Sequence, residues 1–328
     1  MAKVSARLRT AALALGIGLL AGQEAAARVY TLHGDVLGEL ALTTTVREDT
    51  LADIARTYSQ GYKEMRLANP QVDPWLTGED TEIVIPSQYV LPDAPRTGIV
   101  INVAEMRIYH FQPPRKGQPQ EVATYPISIG RQDWATPHGA TKVVSKVKDP
   151  TWTPPASIRR EHAAEGDILP AVVPAGPNNP LGRYALRLGF NGYLIHGTDK
   201  PFGIGMRVTH GCMRLYPEDI ERVFHSVPVG TTVRIVNQPY KLGVLGQQLL
   251  LEVHPALEED VASGKFAAEF SHVMAKIVPL STTHDIGLDW AALRGAIYRK
   301  DGVPVVIGTL TPRAAAASSP RTLAARQP

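Results

Sequence analysis

One cysteine in 328 residues rules out an intrachain disulfide, so this fold is not a disulfide scaffold. It also rules out a zinc site of the multi-cysteine kind, which needs at least a second thiolate. Charge of one sign is scarce too. The net charge is only +3, and Lys3, Arg7 and Arg9 against Glu24 supply two of those charges within the first 27 residues. The remainder carries about +1, which gives no electrostatic footprint for nucleic acid. After the N-terminus no stretch is long and apolar enough to span a bilayer. Hydrophobic residues make up 44% and charged residues 20%, as in ordinary globular proteins, and the length allows two or three compact units.

The N-terminus reads as a secretory signal over residues 1–27. Lys3, Arg7 and Arg9 form a basic region, Ala11–Ala21 is an uncharged apolar run, and Ala25-Ala26-Ala27 offers small residues for cleavage. The mature chain is therefore expected to be exported, with no membrane span once the signal is removed. In an oxidising compartment an idle thiol is a liability, because it oxidises or couples to other chains. Cys212 is then either a buried, inert residue or a working one.

Residues 40–90 form a first unit. A short strand at Leu42–Val46 precedes a helix carrying Leu51, Ile54, Ala55 and Tyr58 at helical spacing, with Glu48-Asp49-Thr50 positioned to cap it. A second helix through Glu64, Met65, Leu67 and Ala68 stops at Asn69-Pro70, and Thr81–Ile85 is a strand. This strand–helix–helix–strand pattern resembles the LysM module, through Val46-x-x-Asp49-Thr50-Leu51-x-x-Ile54-Ala55, Ala68-Asn69-Pro70 and Ile83-Val84-Ile85-Pro86. The resemblance implies contact with glycans that contain N-acetylglucosamine; the other reading is a structural cap on the domain after it. Leu91–Arg96, with two prolines, reads as a linker. Residues 97–237 are mainly β, with strands expected at 99–103, 107–111, 121–129, 141–148, 185–188, 193–195 and 232–236, and a long loop at Pro174–Gly182. Residues 238–310 read as a small accessory unit: a strand at Leu249–Val253, a helix over Glu258–Ile277 and a strand at Val303–Ile307. Residues 311–328, rich in Ala, Ser, Pro and Arg, are expected to be a disordered tail.

The chemistry concentrates in Ile195-His196-Gly197-Thr198 and Thr209-His210-Gly211-Cys212-Met213-Arg214. A thiol is a weak nucleophile until a base or cation acts on it, and two histidines lie close by. His196 ends a strand, which fixes a side chain well. Gly197 and Gly211 permit sharp turns and close approach of substrate, and amides around Gly211 can serve an oxyanion hole. Spacing alone leaves a competitor open, a metal site built from His196, His210 and Cys212.

These segments resemble the catalytic signature of the L,D-transpeptidases (the YkuD-like family): a His-Gly-Thr, a loop, then Ser/Thr-x-Gly-Cys-hydrophobic-Arg/Asn, here with 16 positions from His196 to Cys212. Thr136-Pro137-x-Gly139 and Asn179-Pro180-Leu181-Gly182 add to the match. The order of signal, LysM, catalytic domain and C-terminal extension resembles the periplasmic subgroup that attaches Braun-type lipoprotein to peptidoglycan. The resemblance implies a mainly β, sandwich-like catalytic domain beside a small α/β LysM module. It implies Cys212 as nucleophile, His196 as proton donor and acceptor, and Gly197 as the backbone group that orients the His196 ring. Gly211 becomes an oxyanion contact, and His210, Arg214, Thr198 and Thr209 become substrate contacts or supports. The substrate would be the peptidoglycan tetrapeptide stem, acylating Cys212 through diaminopimelate with release of D-Ala. The acceptor would be a lysine of an outer-membrane lipoprotein, a second diaminopimelate for a 3→3 crosslink, or water. No cofactor or metal is called for, because the thioester stores the reactivity of the acyl group. A reading of another class is a catalytically silent peptidoglycan-binding protein.

Overall fold

The computed structural model describes residues 18–19 and 29–313. The expected signal at 1–27 lies outside these residues except for Gly18–Leu19, which run parallel to Ala41–Leu42. The tail lies outside them from residue 314. Its first two residues belong instead to the strand Val305–Pro312, which pairs with His284–Leu288.

Nine strands form one mixed sheet. In spatial order they are Met213–Arg214, Leu194–His196, Tyr184–Leu188, Gly139–Lys148, Thr232–Val236, Gly98–Asn102, Arg107–Phe111, Glu121–Pro126 and Val29–Thr31. The sandwich-like expectation is thereby corrected to a single curled sheet. Its two halves are continuous through the ten-residue strand Gly139–Lys148. The first part of that strand pairs with Thr232–Val236 and the second part with Tyr184–Leu188, with an irregularity in register after Val143. Bulged, long strands bend in this way. The curl encloses a core of Ile99, Ile101, Ile108, Val143, Leu186, Ile195 and Met213, drawn from both halves.

The run Gly98–Asn102 reads as uninterrupted Ile-Val-Ile because both faces of this half are covered. Ile99 and Ile101 face the main core, while Val100, with Tyr109, Phe111 and Val122, packs against Leu37, Tyr89 and Leu91, on and just after the antiparallel pair Val36–Gly38 and Gln88–Val90.

The first unit has the expected order. Ala41–Thr44 pairs antiparallel with Glu82–Ile85, and helices α1 (Leu51–Thr57) and α2 (Tyr62–Ala68) lie between them in sequence. Seven-residue helices are marginal alone, so caps and burial hold them. Thr50 and Asp53 form a capping box, with 3.2 Å from Asp53 N to Thr50 Oγ1 and 3.3 Å from Thr50 N to Asp53 Oδ2. Asn69 ends α2 and ties it to the strand, donating to Val84 O at 2.8 Å and accepting from Val84 N–H at 2.8 Å. Leu51, Ile54, Met65, Ile83 and Ile85 are buried, each contributing roughly 1.5–3 kcal/mol.

The C-terminal unit is a four-stranded antiparallel sheet, in the order Tyr240–Leu245, Gln248–Val253, Val305–Pro312, His284–Leu288. The single helix expected over Glu258–Ile277 is two, Glu258–Ala262 and Glu269–Ile277, interrupted where Gly264 takes a φ of +72°. A buried charge cluster joins this unit to the nine-stranded sheet. The Lys241 ammonium bonds the carboxylates of Glu105 and Glu252, the latter at 2.7 Å, and Glu252 also takes His254 Nε2 at 2.6 Å. Tyr109 and Asn102 complete Glu105, each at 2.8 Å. Among the described residues no helix is long and apolar enough to cross a membrane.

Candidate active site

The parallel pairing of Leu194–His196 with Met213–Arg214 builds the site. Ile195 stands opposite Met213 and His196 opposite Arg214. Ile195 and Met213 point into the core, so strand alternation sends His196, Arg214 and Cys212 to the other face. That face lines a cavity of about 500 Å³. Of the residues singled out in the sequence, His196, Thr209, His210, Cys212 and Arg214 line it, while Gly197, Thr198 and Gly211 lie behind.

His196 is buried, 3% exposed, and its Nδ1 lies 2.7 Å from the carbonyl oxygen of Gly197. A carbonyl only accepts, so Nδ1 carries the proton and Nε2 is left with its lone pair. Burial, and then the Arg214 charge, push the imidazole pKa down to about 3. Burial pushes the Cys212 thiol up, against the pull of the Leu194 N–H and Arg214. Both shifts favour the uncharged forms of the pair. Cys212 Sγ lies 3.7 Å from the Gly192 carbonyl.

Two threonines pin the turn before Cys212. Thr209 donates to Cys212 O at 2.6 Å and accepts from Gly211 N–H at 3.2 Å. Thr136 donates to Gly211 O at 2.9 Å and accepts from Gly130 N–H at 3.0 Å. Gly211 adopts φ +97°, and a Cβ there would stand 2.7 Å from the Tyr193 ring, so only glycine fits. The Gly211 N–H, expected to face an oxyanion, is engaged by Thr209 in this state. Thr198 is buried and accepts from Lys200 N–H at 2.9 Å, shaping the chain after His196.

His210 turns toward the cavity wall. Its Nε2 meets Glu161 Oε2 at 3.0 Å and its ring packs edge-on to Trp134, 5.0 Å between centroids. Glu161, on helix α3 (Ala156–Ala164), also takes the Arg131 guanidinium. Arg214 is largely buried, and its Nε has no hydrogen-bond partner among the described residues. A buried donor of that kind is costly unless something arrives to accept from it.

Residues missed in the sequence complete the cavity: Trp134, Trp152, Ile158, His162 and Tyr193, with Glu161 bonded to His210. Most belong to the segment 149–183, brought over the site by pairing of Trp152 with Val173 and by Asn179, which donates to Pro150 O at 2.8 Å and Pro174 O at 3.0 Å. The density of Pro, Gly and Asn marks Pro174–Gly182 as a loop but not what its side chains face, and the helix Ala156–Ala164 is not among the expected elements.

Residues 96–235 match the family model of the L,D-transpeptidase catalytic domain. Three proteins of Escherichia coli K12 are similar at greater length. The Probable L,D-transpeptidase ErfK/SrfK is 39% identical over 89% of this chain and 94% of its own. The Probable L,D-transpeptidase YbiS is 40% identical over 86% and 92%. The Probable L,D-transpeptidase YcfS is 47% identical over 65% and 67%. With the cysteine, histidine and turn geometry in place and relatives matched over nearly their full length, the chain belongs to the L,D-transpeptidase family of cysteine transpeptidases.

Proposed function

We propose that this protein is an exported, periplasmic L,D-transpeptidase in which Cys212 is acylated by the peptidoglycan tetrapeptide stem with His196 as its base. The observation that carries the reading is the 2.7 Å contact of His196 Nδ1 with Gly197 O, which reserves Nε2 for the face that Cys212 shares. The Gly197 carbonyl orients the ring as a carboxylate does in other triads.

With both groups neutral at rest, the thiol proton moves to Nε2 as sulfur attacks the diaminopimelate carbonyl. The tetrahedral oxyanion forms against the amides of the Gly211 turn, the Gly211 N–H exchanging Thr209 Oγ1 for it. The imidazolium returns its proton to the departing D-Ala amine, leaving the thioester. A primary amine then attacks, passing a proton to His196, which restores the thiol as the C–S bond breaks. Arg214 lines the cavity, and its guanidinium charge suits a stem carboxylate. His210, tied to Glu161, braces the turn and the cavity wall.

The acceptor is read as a lysine of an outer-membrane lipoprotein, on the resemblance of the whole domain order to the subgroup that makes that link. The 3→3 crosslink and hydrolysis by water are the other outcomes. The strand–helix–helix–strand unit is read as a LysM module that meets the glycan. Incubating the protein with a carbapenem tests the enzyme reading: one covalent adduct, lost in Cys212→Ala, is expected, and no adduct on wild type contradicts it. Muropeptides of a deletion strain separate the acceptors. Loss of wall-bound lipoprotein supports anchoring; loss of diaminopimelate dimers instead supports crosslinking.

A further inference from the structure

We infer that the unit of residues 41–85 is a clamp on the segment 197–211 that joins His196 to Cys212, and so sets the catalytic geometry itself. This rests on the reading of Cys212 and His196 above. A module that only targeted glycan would need a tether; this one reaches the site along three routes.

The first route grips the segment directly. The N–H groups at a helix start have no partner within the helix. Here the first two of α2, on Tyr62 and Lys63, donate to Ile204 O at 3.0 Å and Gly205 O at 3.3 Å. The approach depends on glycine. Gly205 has φ +84°, and a Cβ there would lie 2.4 Å from Tyr62 N and 2.5 Å from Gly61 Cα. The second route runs behind His196. The buried Tyr216 hydroxyl donates to Gln60 O at 3.1 Å, and the adjoining Leu215 N–H donates to His196 O at 2.9 Å. The third runs through helix α4 (Pro217–Ser226). Arg56 forks onto Glu218 at 2.9 and 3.0 Å, and two residues on, Ile220 packs so tightly on Gly197 that a Cβ there would meet it at 3.0 Å. Gly197 supplies the carbonyl that orients the His196 ring.

A buried ion pair keeps the clamp seated. Arg107 is fully buried, bonds Glu64 of α2 at 2.7 and 2.8 Å, and lies 4.3 Å from the centre of the Tyr89 ring. A displacement of about 1 Å at the reacting atoms costs on the order of 100-fold in rate, so this grip bears on turnover.

The test uses the full chain and a glycan-free tetrapeptide stem, on which a targeting module has nothing to hold. Gly205→Ala, Glu64→Gln and Tyr216→Phe are compared with wild type and with Arg47→Ala, on the outer loop of the unit. Clamping predicts that kcat for the tetrapeptide falls roughly 10-fold or more in Gly205→Ala and less in the other two, with KM within about twofold. The carbapenem acylation rate should fall in parallel, and Arg47→Ala should match wild type. Circular dichroism and melting confirm that each variant is folded at assay temperature; if Gly205→Ala is not, the single hydroxyl removed in Tyr216→Phe and the charge removed in Glu64→Gln decide. Wild-type kcat on the tetrapeptide in the folded variants, with losses seen only on intact sacculi, overturns the clamp. Failure of the wild type itself to be acylated overturns the transpeptidase reading beneath it.

Discussion

Lys241 and Cys212 both lie in polar clusters against the same nine-stranded sheet, and the two clusters are built to opposite standards. Around Lys241 the charges are fully buried and answered: Glu105 holds Lys241, Tyr109 and Asn102, and Glu252 holds Lys241, His254 and the Val90 amide. Around Cys212 the groups are left wanting. The sulfur faces the Gly192 carbonyl at 3.7 Å, Arg214 Nε has no partner among the described residues, and His196 Nε2 keeps its lone pair. A satisfied buried network fixes where units sit; groups left without partners beside a cavity do not.

The contrast can be broken by changing one side at a time. The largest effect is expected from His196→Gln, which removes the base and should slow carbapenem acylation by about 10²–10⁴ with the melting temperature little changed. Lys241→Met should do the reverse. Two buried carboxylates lose their counter-ion, so stability in urea should drop by about 3–5 kcal/mol, while the acylation rate of the folded enzyme stays near wild type. Thr136→Val tests the support of the turn. It frees the Gly211 carbonyl and the Gly130 amide, and a loss of about 1–3 kcal/mol with a modest fall in kcat is expected. The pH dependence sharpens the picture of an uncharged pair. An imidazole pushed down to about 3 stays a base through mild acid, so acylation should be level from about pH 8 to about pH 5. The thiol is pushed up, so thiolate absorbance at about 240 nm should appear only above the ordinary thiol range. Smallest is Arg47→Ala, an exposed pair with Glu79 on the surface, expected to move stability by no more than about 0.5 kcal/mol.

The features legible in the sequence are those that depend on near neighbours. Thr50 caps its own helix, which residue type and spacing are enough to show; His196 bonds the carbonyl of the very next residue, which the family resemblance implies, while the bond of Thr209 within its own turn is not among the expectations. What stays hidden depends on distant pairing. Glu161 meets His210 from 49 positions away, and Lys241 meets Glu105 across 136. Nothing local marks either partner, and a lysine that is wholly buried runs against the usual rule for its type. The curl of the sheet is hidden for the same reason. Gly139–Lys148 looks like any strand until its two parts pair with different neighbours.

The acyl-enzyme itself is the most direct test. The protein is mixed with a tetrapeptide stem, quenched in acid within one turnover, and weighed intact. A Cys212 nucleophile predicts a mass gain equal to the stem without its terminal D-Ala, located on Cys212, with none in Cys212→Ala. A wild-type protein that turns the stem over without that gain, or a gain that survives in Cys212→Ala, contradicts it.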